Sequence, residues 1–447
     1  MVATACAAVL VSLAGCSSSS PGNSTGHSPG STGGLGGSTV QGGTTGGQSG
    51  GPVDAGPGTA TGGMGPSGSA GGPGAGGAAG AQAGMGGAPD AGGQGQSSCP
   101  LPVGTAGSWV EVEAPTDLSG FKVADAFAVG TNDLLFAGST IDPTGAAAPS
   151  NARLLRWTKG CWTVELTFPA SATVPGSPSV HGTGPDDIWA TAGDLIYHRD
   201  AQGWTPFADD SWRSMVVQPS GFFGDTELHR VRADAPGDFW VAVTSNVLHW
   251  NGASWTSYNF DDAGVPQAGQ SVGFSFDDIW IDSPTSVWVV GFSKMIGNTM
   301  GEGFIHHFDG ASWTHQGTGL ENIYAIWRGG AVLWLAQPTI AVNPGETFHT
   351  DLLAFDGTNA LGVHVAGIDP TQGPPPLSSL FGRGANDLWA AGADVAHFDG
   401  QGWSLVSNAP DAAREQLDTT HTFVTGDAGS VWLATPGPRF FREVTSP

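Results

Sequence analysis

From Trp109 onward, short apolar runs alternate with pairs such as Asp-Gly, Asn-Gly and Asn-Asp, and no stretch carries a helical period. The runs fall into a recurring phrase. It reads Asp187-Ile188-Trp189, then His198, then Trp204. It returns as Asp238-Phe239-Trp240, His249-Trp250-Asn251-Gly252 and Trp255, and again as Asp387-Leu388-Trp389, His397-Phe398-Asp399-Gly400 and Trp403. Looser copies hold Val287-Trp288 with His307-Phe308-Asp309-Gly310 and Trp313, and Leu333-Trp334 with Phe355-Asp356-Gly357. Degenerate ones begin at Asp133-Leu134-Leu135-Phe136 and at Ser430-Val431-Trp432. Each unit predicts four strands: an apolar first, a second centred on Trp, a third ending in His or an aromatic, and a fourth opening at Trp. The Asp-Gly and Asn-Gly pairs predict type I′ hairpins, whose two central residues both need positive φ.

Seven units of about 50 residues predict an all-β, seven-bladed β-propeller with radial four-stranded blades. Closure is legible too. The last unit stops at a third strand, Phe440-Phe441-Arg442-Glu443. Its missing fourth strand matches Ser108-Trp109-Val110-Glu111-Val112, which is similar in kind to Gly402-Trp403-Ser404-Leu405-Val406. An N-terminal strand completing the last blade would leave no open edge. Through the Asp-x-Trp and Asp-Gly-x-x-Trp phrases, residues 108–447 resemble bacterial propellers with kelch-like or two-component-regulator-type repeats. That resemblance implies the fold and no particular activity.

The first 98 residues are of another kind. They hold no Trp, Phe, Tyr, Lys or Arg, none of the 14 basic residues and only two of the 39 acidic ones. The apolar run Val2–Leu13 is too short to span a bilayer but suits the core of a secretion signal. Leu13-Ala14-Gly15-Cys16 resembles the lipobox of bacterial lipoproteins, which implies cleavage before Cys16 and a lipid on its sulfur. No Lys or Arg precedes the run, as expected if translation starts upstream of Met1. The tract 16–98 is rich in Gly, Ser, Ala and Pro and cannot bury enough apolar area to order itself. It reads as a tether with a span of roughly 50 Å. The domains expected are therefore a signal at 1–15, lipidated Cys16 with its linker to 98, and a propeller over 99–447. The localisation that follows is the cell envelope, exported and lipid-anchored, with the outer membrane or cell surface favoured. An exported domain permits disulfides, and the two cysteines left over, Cys99 and Cys161, are read as a pair.

Charge and chemistry narrow the function. The net charge is −25, nearly all beyond residue 98, which excludes nucleic acid as a partner and leaves a lipid anchor as the sole membrane contact. The repeated histidines sit on third strands about 10 Å outside the channel-lining ones, so copies on different blades cannot share a metal. No cofactor is implied, and paired acids such as Asp209-Asp210 and Asp261-Asp262 offer only a weak Ca²⁺ signal. No Gly-x-Ser-x-Gly elbow or His-Glu-x-x-His helix occurs, and no catalytic set is assigned.

The informative residues lie where units differ. The 4→1 and 2→3 connections are long and dissimilar and share one face, where recognition usually resides. They cover 139–152, 208–227, 259–274, 292–303, 336–350, 366–376 and 407–419. Trp212, Phe222 and Phe223 lie in the longest of them, either exposed for contact or tucked beneath it. Aligning units on the second-strand aromatic places Asp125, Pro178, His229, Asp277, Ile323, Ser378 and His421 in one column near the start of the innermost strands. Arg230, Asp278, Tyr324, Arg328 and Arg383 stand in adjacent columns. All are expected at the channel mouth on the elaborated face. The preferred expectation is a monomeric module binding a protein or a polysaccharide. An exported hydrolase or lyase working at the channel mouth is the alternative.

Overall fold

The computed structural model describes residues 99, 101–140, 152–169, 177–216, 227–243, 246–260, 273–294, 303–316, 320, 322–339, 349–367, 377–410, 422–435 and 439–444. Cys16, residues 1–98 as a whole, His421, Phe222 and Phe223 lie outside them.

Among the described residues the strands form seven antiparallel sheets, each ordered from the first strand inward to the fourth outward. Their first strands are Phe121–Gly130, Ser179–Gly184, Leu228–Ala235, Gly273–Ser283, Ala325–Gly329, Leu377–Gly384 and Phe423–Asp427. The chain is a seven-bladed β-propeller. Its seventh blade is closed by Trp109–Val112, which pairs antiparallel with Arg439–Glu443 in the register Trp109 to Glu443. Arg439 clamps Glu111 across that seam with two bonds of 2.7 and 2.8 Å. Cys99 and Cys161 form a disulfide that ties the chain ahead of the closing strand to the outer hairpin of blade one. Blade six carries an extra strand, Val365–Ala366, parallel to Trp403–Leu405 on its outer edge. One 3₁₀ turn, Ser211–Ser214, is the sole helical element among the described residues.

The core is divided into clusters that each bridge two neighbouring blades. Trp189 of blade two stacks on Phe239 of blade three at 3.9 Å, and Trp157 of blade one meets Trp432 of blade seven at 4.5 Å. Trp157, Trp240, Trp403 and Trp432 are among the largest fully buried side chains. Truncating such a residue typically costs about 3–5 kcal/mol.

The repeated phrase becomes one structural device. In blade two, Asp187 Oδ1 accepts from the Trp189 indole at 3.1 Å and pairs with His198 Nε2 at 2.9 Å, while His198 stacks on Trp189 at 4.0 Å. Blade six repeats it with Asp387, Trp389 and His397. In blade three His249 pairs with Asp238 at 2.7 Å and stacks on Trp240; in blade four Ser286 meets His307 at 3.0 Å while the Trp288 indole donates to Asp282 at 3.0 Å. Every one of these histidines is satisfied inside its own blade.

The outer hairpins differ in detail from the type I′ expectation. Asp399 Oδ1 accepts the N–H groups of Gln401 and Gly402, and only Gly400 has positive φ, at 86°. The carboxylate thus closes a four-residue Asx turn in place of a two-residue one, because it mimics a backbone acceptor. Asn251, Asp309 and Asp356 do the same. The one outer turn with two successive positive φ values is Lys159-Gly160, where the Asp-Gly pair is missing.

Candidate functional site

The seven first strands enter from the 4→1 connections and leave by two-residue turns, such as 131–132 and 236–237, on the opposite face. Pairing with the second strands fixes which residues share a level. Asp125 faces Ala137, Ser179 faces Thr191, Arg230 faces Ala242, Asp278 faces Val290 and Ser379 faces Ala391. These five occupy one level. Pro178, His229, Asp277 and Ser378 precede it by one residue, and Ile323 precedes the equivalent Ala325 by two.

The column expected from the sequence is therefore corrected by a one-residue slip. The second-strand Trp position is held in blade one by Leu135, not by the adjacent aromatic Phe136. Phe136 stands one residue past that position, so a column drawn through it is one residue out of register in the other blades, and a one-residue slip on a strand exchanges its two faces. His229 and Asp277 occupy β-bulges between Leu228 and Arg230 and between Phe276 and Asp278. Ile323 is fully buried in the core. Tyr324 anchors its backbone N–H on Ala336, and burial, with the Asp277 charge nearby, pushes its phenol up.

Arg328 and Arg383 are corrected more strongly. They lie at the far ends of their strands, beside the two-residue turns of the plain face. Arg328 pairs with Asp282, and Arg383 with Asp387 at 2.7 Å and Glu443 at 3.5 Å. Trp212 is 2% exposed and packs in the cluster shared by blades two and three, so it offers no outward contact.

At the corrected level, short polar side chains staple neighbouring blades. Asp125 accepts the Val180 N–H at 3.2 Å, Ser179 that of Val231 at 3.0 Å, Asp278 that of Ile326 at 3.3 Å and Ser379 that of Val424 at 3.0 Å. Arg232, which the sequence reasoning did not single out, ties this belt together. Its guanidinium donates to Asp125 at 2.9 Å and to Asp278 at 2.8 Å, while Arg230 stands 3.6 Å from both carboxylates. Arg230 also donates to the backbone carbonyls of Asp277 and Ala124. Asp125 is 3% exposed. Burial alone would raise its pKa, but Arg232, Arg230 and the 2.5 Å bond from Ser179 outweigh it and hold the carboxyl at about 2. Two carboxylates and two guanidiniums cancel in charge.

Two residues further along each strand lies a second level. On one side stand Trp280, Trp327 and Phe381, facing Trp288, Trp334 and Trp389 of their own second strands. On the other stand His181 and Arg232, facing Trp189 and Trp240. Both levels line a cavity of about 230 Å³ in the channel. Trp280 and Trp327 meet at 5.5 Å with a 58° tilt. A Cβ at Gly382 would come within 2.3 Å of the Trp327 indole, and one at Gly426 within 2.8 Å of the Phe381 ring. Each ring thus rests where the next blade omits a side chain. His181 Nδ1 accepts the Ala233 N–H at 3.1 Å, and burial with the Arg232 charge holds its pKa near about 3, so the neutral ring carries its proton on Nε2.

Among the described residues no three His, Cys, Asp or Glu side chains converge where they could hold a metal ion. The chain is similar to solved β-propellers. YCF48 bound to a D1 peptide matches at 13% identity over 78% of this chain and 100% of its own, with a TM-score of 0.48. YCF48 from Cyanidioschyzon merolae matches at 14% identity over 75% and 98%, with a TM-score of 0.45. PorZ, a surface component of the type-IX secretion system of Porphyromonas gingivalis, matches at 12% identity over 77% of this chain and 48% of its own, with a TM-score of 0.47. No protein-family model and no curated protein matches the sequence.

Proposed function

We propose that this chain is a lipid-anchored, monomeric propeller of the cell envelope whose elaborated face engages a protein or a polysaccharide. The observation that carries the reading is the asymmetry of the connections. All seven 1→2 turns, from 131–132 to 428–429, have two residues. On the opposite face the 2→3 connections run from two residues, as at 193–194 and 393–394, to the twelve of 141–152. The same hairpin geometry is closed by two residues in one blade and twelve in another, so the scaffold does not require the extra length. The lipobox-like Leu13-Ala14-Gly15-Cys16 and the long tether support display away from a membrane, and the repeat supports a kelch-like ancestry.

A hydrolase or lyase at the channel mouth is the weaker reading. It needs a titratable group poised near the working pH. Arg232 and Arg230 hold Asp125 at about 2, and burial with the Arg232 charge holds His181 at about 3, both away from that range.

Replacing 141–151, 295–302 and 340–348 with the Gly-Asp pair that closes the equivalent hairpin of blade two tests the proposal. Crosslinking of the full chain at the cell surface and binding to an array of envelope glycans are the readouts. The trimmed chain should keep its melting temperature and lose its partners. An unchanged partner set on a folded, trimmed chain would overturn the assignment.

A further inference from the structure

We infer that the channel cavity is a binding site for one neutral pyranose ring, with Trp280 and Trp327 as its stacking platform. The inference deepens the interaction-module reading by naming a ligand class and a second place where it is held.

Size comes first. The cavity is about 230 Å³, below the roughly 300–1,000 Å³ of pockets for drug-sized ligands, so it admits a single ring or side chain. Its wall is two-sided. Trp280, Trp327 and Phe381 present aromatic surface from three successive blades, and the tilted Trp280–Trp327 pair makes a corner rather than a flat stack. That corner is built into the scaffold, because Gly382 leaves the room that the Trp327 indole occupies. The facing wall is polar: Arg232, Arg230 and the neutral His181, with its Nε2–H as the donor not taken by the backbone.

Charge selects among flat ligands. The two guanidiniums are already matched by Asp125 and Asp278 at 2.8–3.6 Å, so the site has no net charge to offer an anion or a cation. An ionic ligand would have to displace a buried, hydrogen-bonded pair, which costs several kcal/mol. A sugar needs neither. Its axial C–H face is apolar enough to lie on an indole, and its equatorial hydroxyls both donate and accept, so they suit the His181 Nε2–H and the Arg230 and Arg232 edges that line the cavity. An apolar or aromatic side chain of a protein would leave the His181 Nε2–H without an acceptor, at a cost of about 1–3 kcal/mol.

The test uses the full chain and a panel of methyl glycosides: glucoside, galactoside, mannoside and N-acetylglucosaminide. Binding is read by intrinsic tryptophan fluorescence and by ¹⁹F resonances of 5-fluorotryptophan-labelled protein. At least one glycoside should saturate, shifting the resonances assigned to Trp280 and Trp327. Trp327→Leu and Trp280→Leu should each weaken it by about tenfold or more. His181→Phe should weaken it too, and Trp313→Phe, in an outer strand, should not. The ¹⁹F readout on the unaltered protein keeps the test valid if a tryptophan variant fails to fold. No saturable glycoside, or saturation that leaves the Trp280 and Trp327 resonances unmoved, overturns the inference. So does capture of N-acetyl-tyrosinamide or N-acetyl-argininamide in preference to every glycoside, which would make the occupant a protein side chain. Trimming the hairpins at 141–151, 295–302 and 340–348 separates the two proposals. Glycoside binding that survives trimming keeps the channel site whatever becomes of the face, and binding lost on trimming alone would assign the sugar to the face.

Discussion

Arg232→Met removes the one side chain that hydrogen-bonds both carboxylates of the inner belt, and its consequences can be worked from the structure. Asp125 stays 3% exposed with Ser179 Oγ at 2.5 Å and the Val180 N–H at 3.2 Å, but its nearest cation becomes Arg230 at 3.6 Å. In the intact protein its pKa is about 2 against an ordinary 3.8, a displacement worth about 2 kcal/mol of stability. Removing one partner of a buried pair typically costs about 3–5 kcal/mol, since a desolvated charge remains. We expect a loss near 3 kcal/mol at pH 7, equivalent to a fall in Tm of about 4 °C for a domain of this size. The sign with pH is specific. Because the folded pKa lies below the unfolded one, the stabilisation from Asp125 is full above pH 3.8 and is lost as pH falls toward 2. In the variant the Arg232 attraction is gone and only Arg230 and the Ser179 and Val180 bonds oppose burial, so the pKa moves up and protonation relieves the defect at acid pH. The gap between the two proteins should be widest at pH 7 and narrow steadily below pH 4. Urea unfolding followed by tryptophan fluorescence and circular dichroism measures it. A gap of the same size at pH 7 and pH 3, or a variant as stable as the wild type, would refute the ion-pair account of this belt.

Three further outcomes are expected. His306 is 1% exposed among Phe260, Phe304 and His315, and neither of its ring nitrogens has a hydrogen-bond partner, so burial holds its pKa near about 3. His306→Phe should stabilise by about 1–3 kcal/mol. The gain should be larger at pH 5 than at pH 8, because the unfolded histidine protonates below 6.5 while the folded one does not; a loss of urea midpoint at pH 8 would count against it. Asp234, raised to about 6 by burial and by the Asp238 charge, stabilises the fold below pH 3.8 and loses that contribution as pH rises through 6. Both its carboxylate oxygens are buried without a hydrogen-bond partner, so Asp234→Asn should add about 1 kcal/mol or more at pH 8 and little at pH 4, by calorimetry. Cys161→Ser opens a loop spanning a separation of 62 residues and should cost about 4 kcal/mol on the loop-entropy model. Equal melting temperatures for oxidised and reduced wild-type protein would show that the bridge adds nothing.

The architecture was legible because its signals are local and repeated. Asp-x-Trp, His and Asp-Gly-x-x-Trp recur at a spacing that only a four-stranded unit satisfies, and Trp109–Val112 supplies the one strand that the last unit lacks. The disulfide was legible from cysteine number alone, since Cys99 and Cys161 are the two left over in the propeller domain. The inner belt was less legible. Its sequence signal is one residue out of register at His229 and Asp277, because Phe136 resembles the repeat's Trp more than Leu135 does, while Asp125, Arg230 and Asp278 do stand in the belt. Arg232 sits two residues beyond Arg230 in the same strand, and nothing in its neighbours distinguishes it from a solvated arginine.

The sequence by itself determined the number of blades, the strand order within each, the closing strand and the inward-to-outward place of every repeated residue. These depend on period and turn chemistry, which are properties of neighbouring residues. Only the tertiary structure decided what the departures from the repeat do. Asp125, Ser179, Arg232 and Asp278 lie on four different blades, and no sequence spacing connects them. The Trp327 indole and the absent side chain of Gly382 likewise come from adjoining blades. Ring closure brings such residues to one axis, and there distance in space, burial and charge assign their roles.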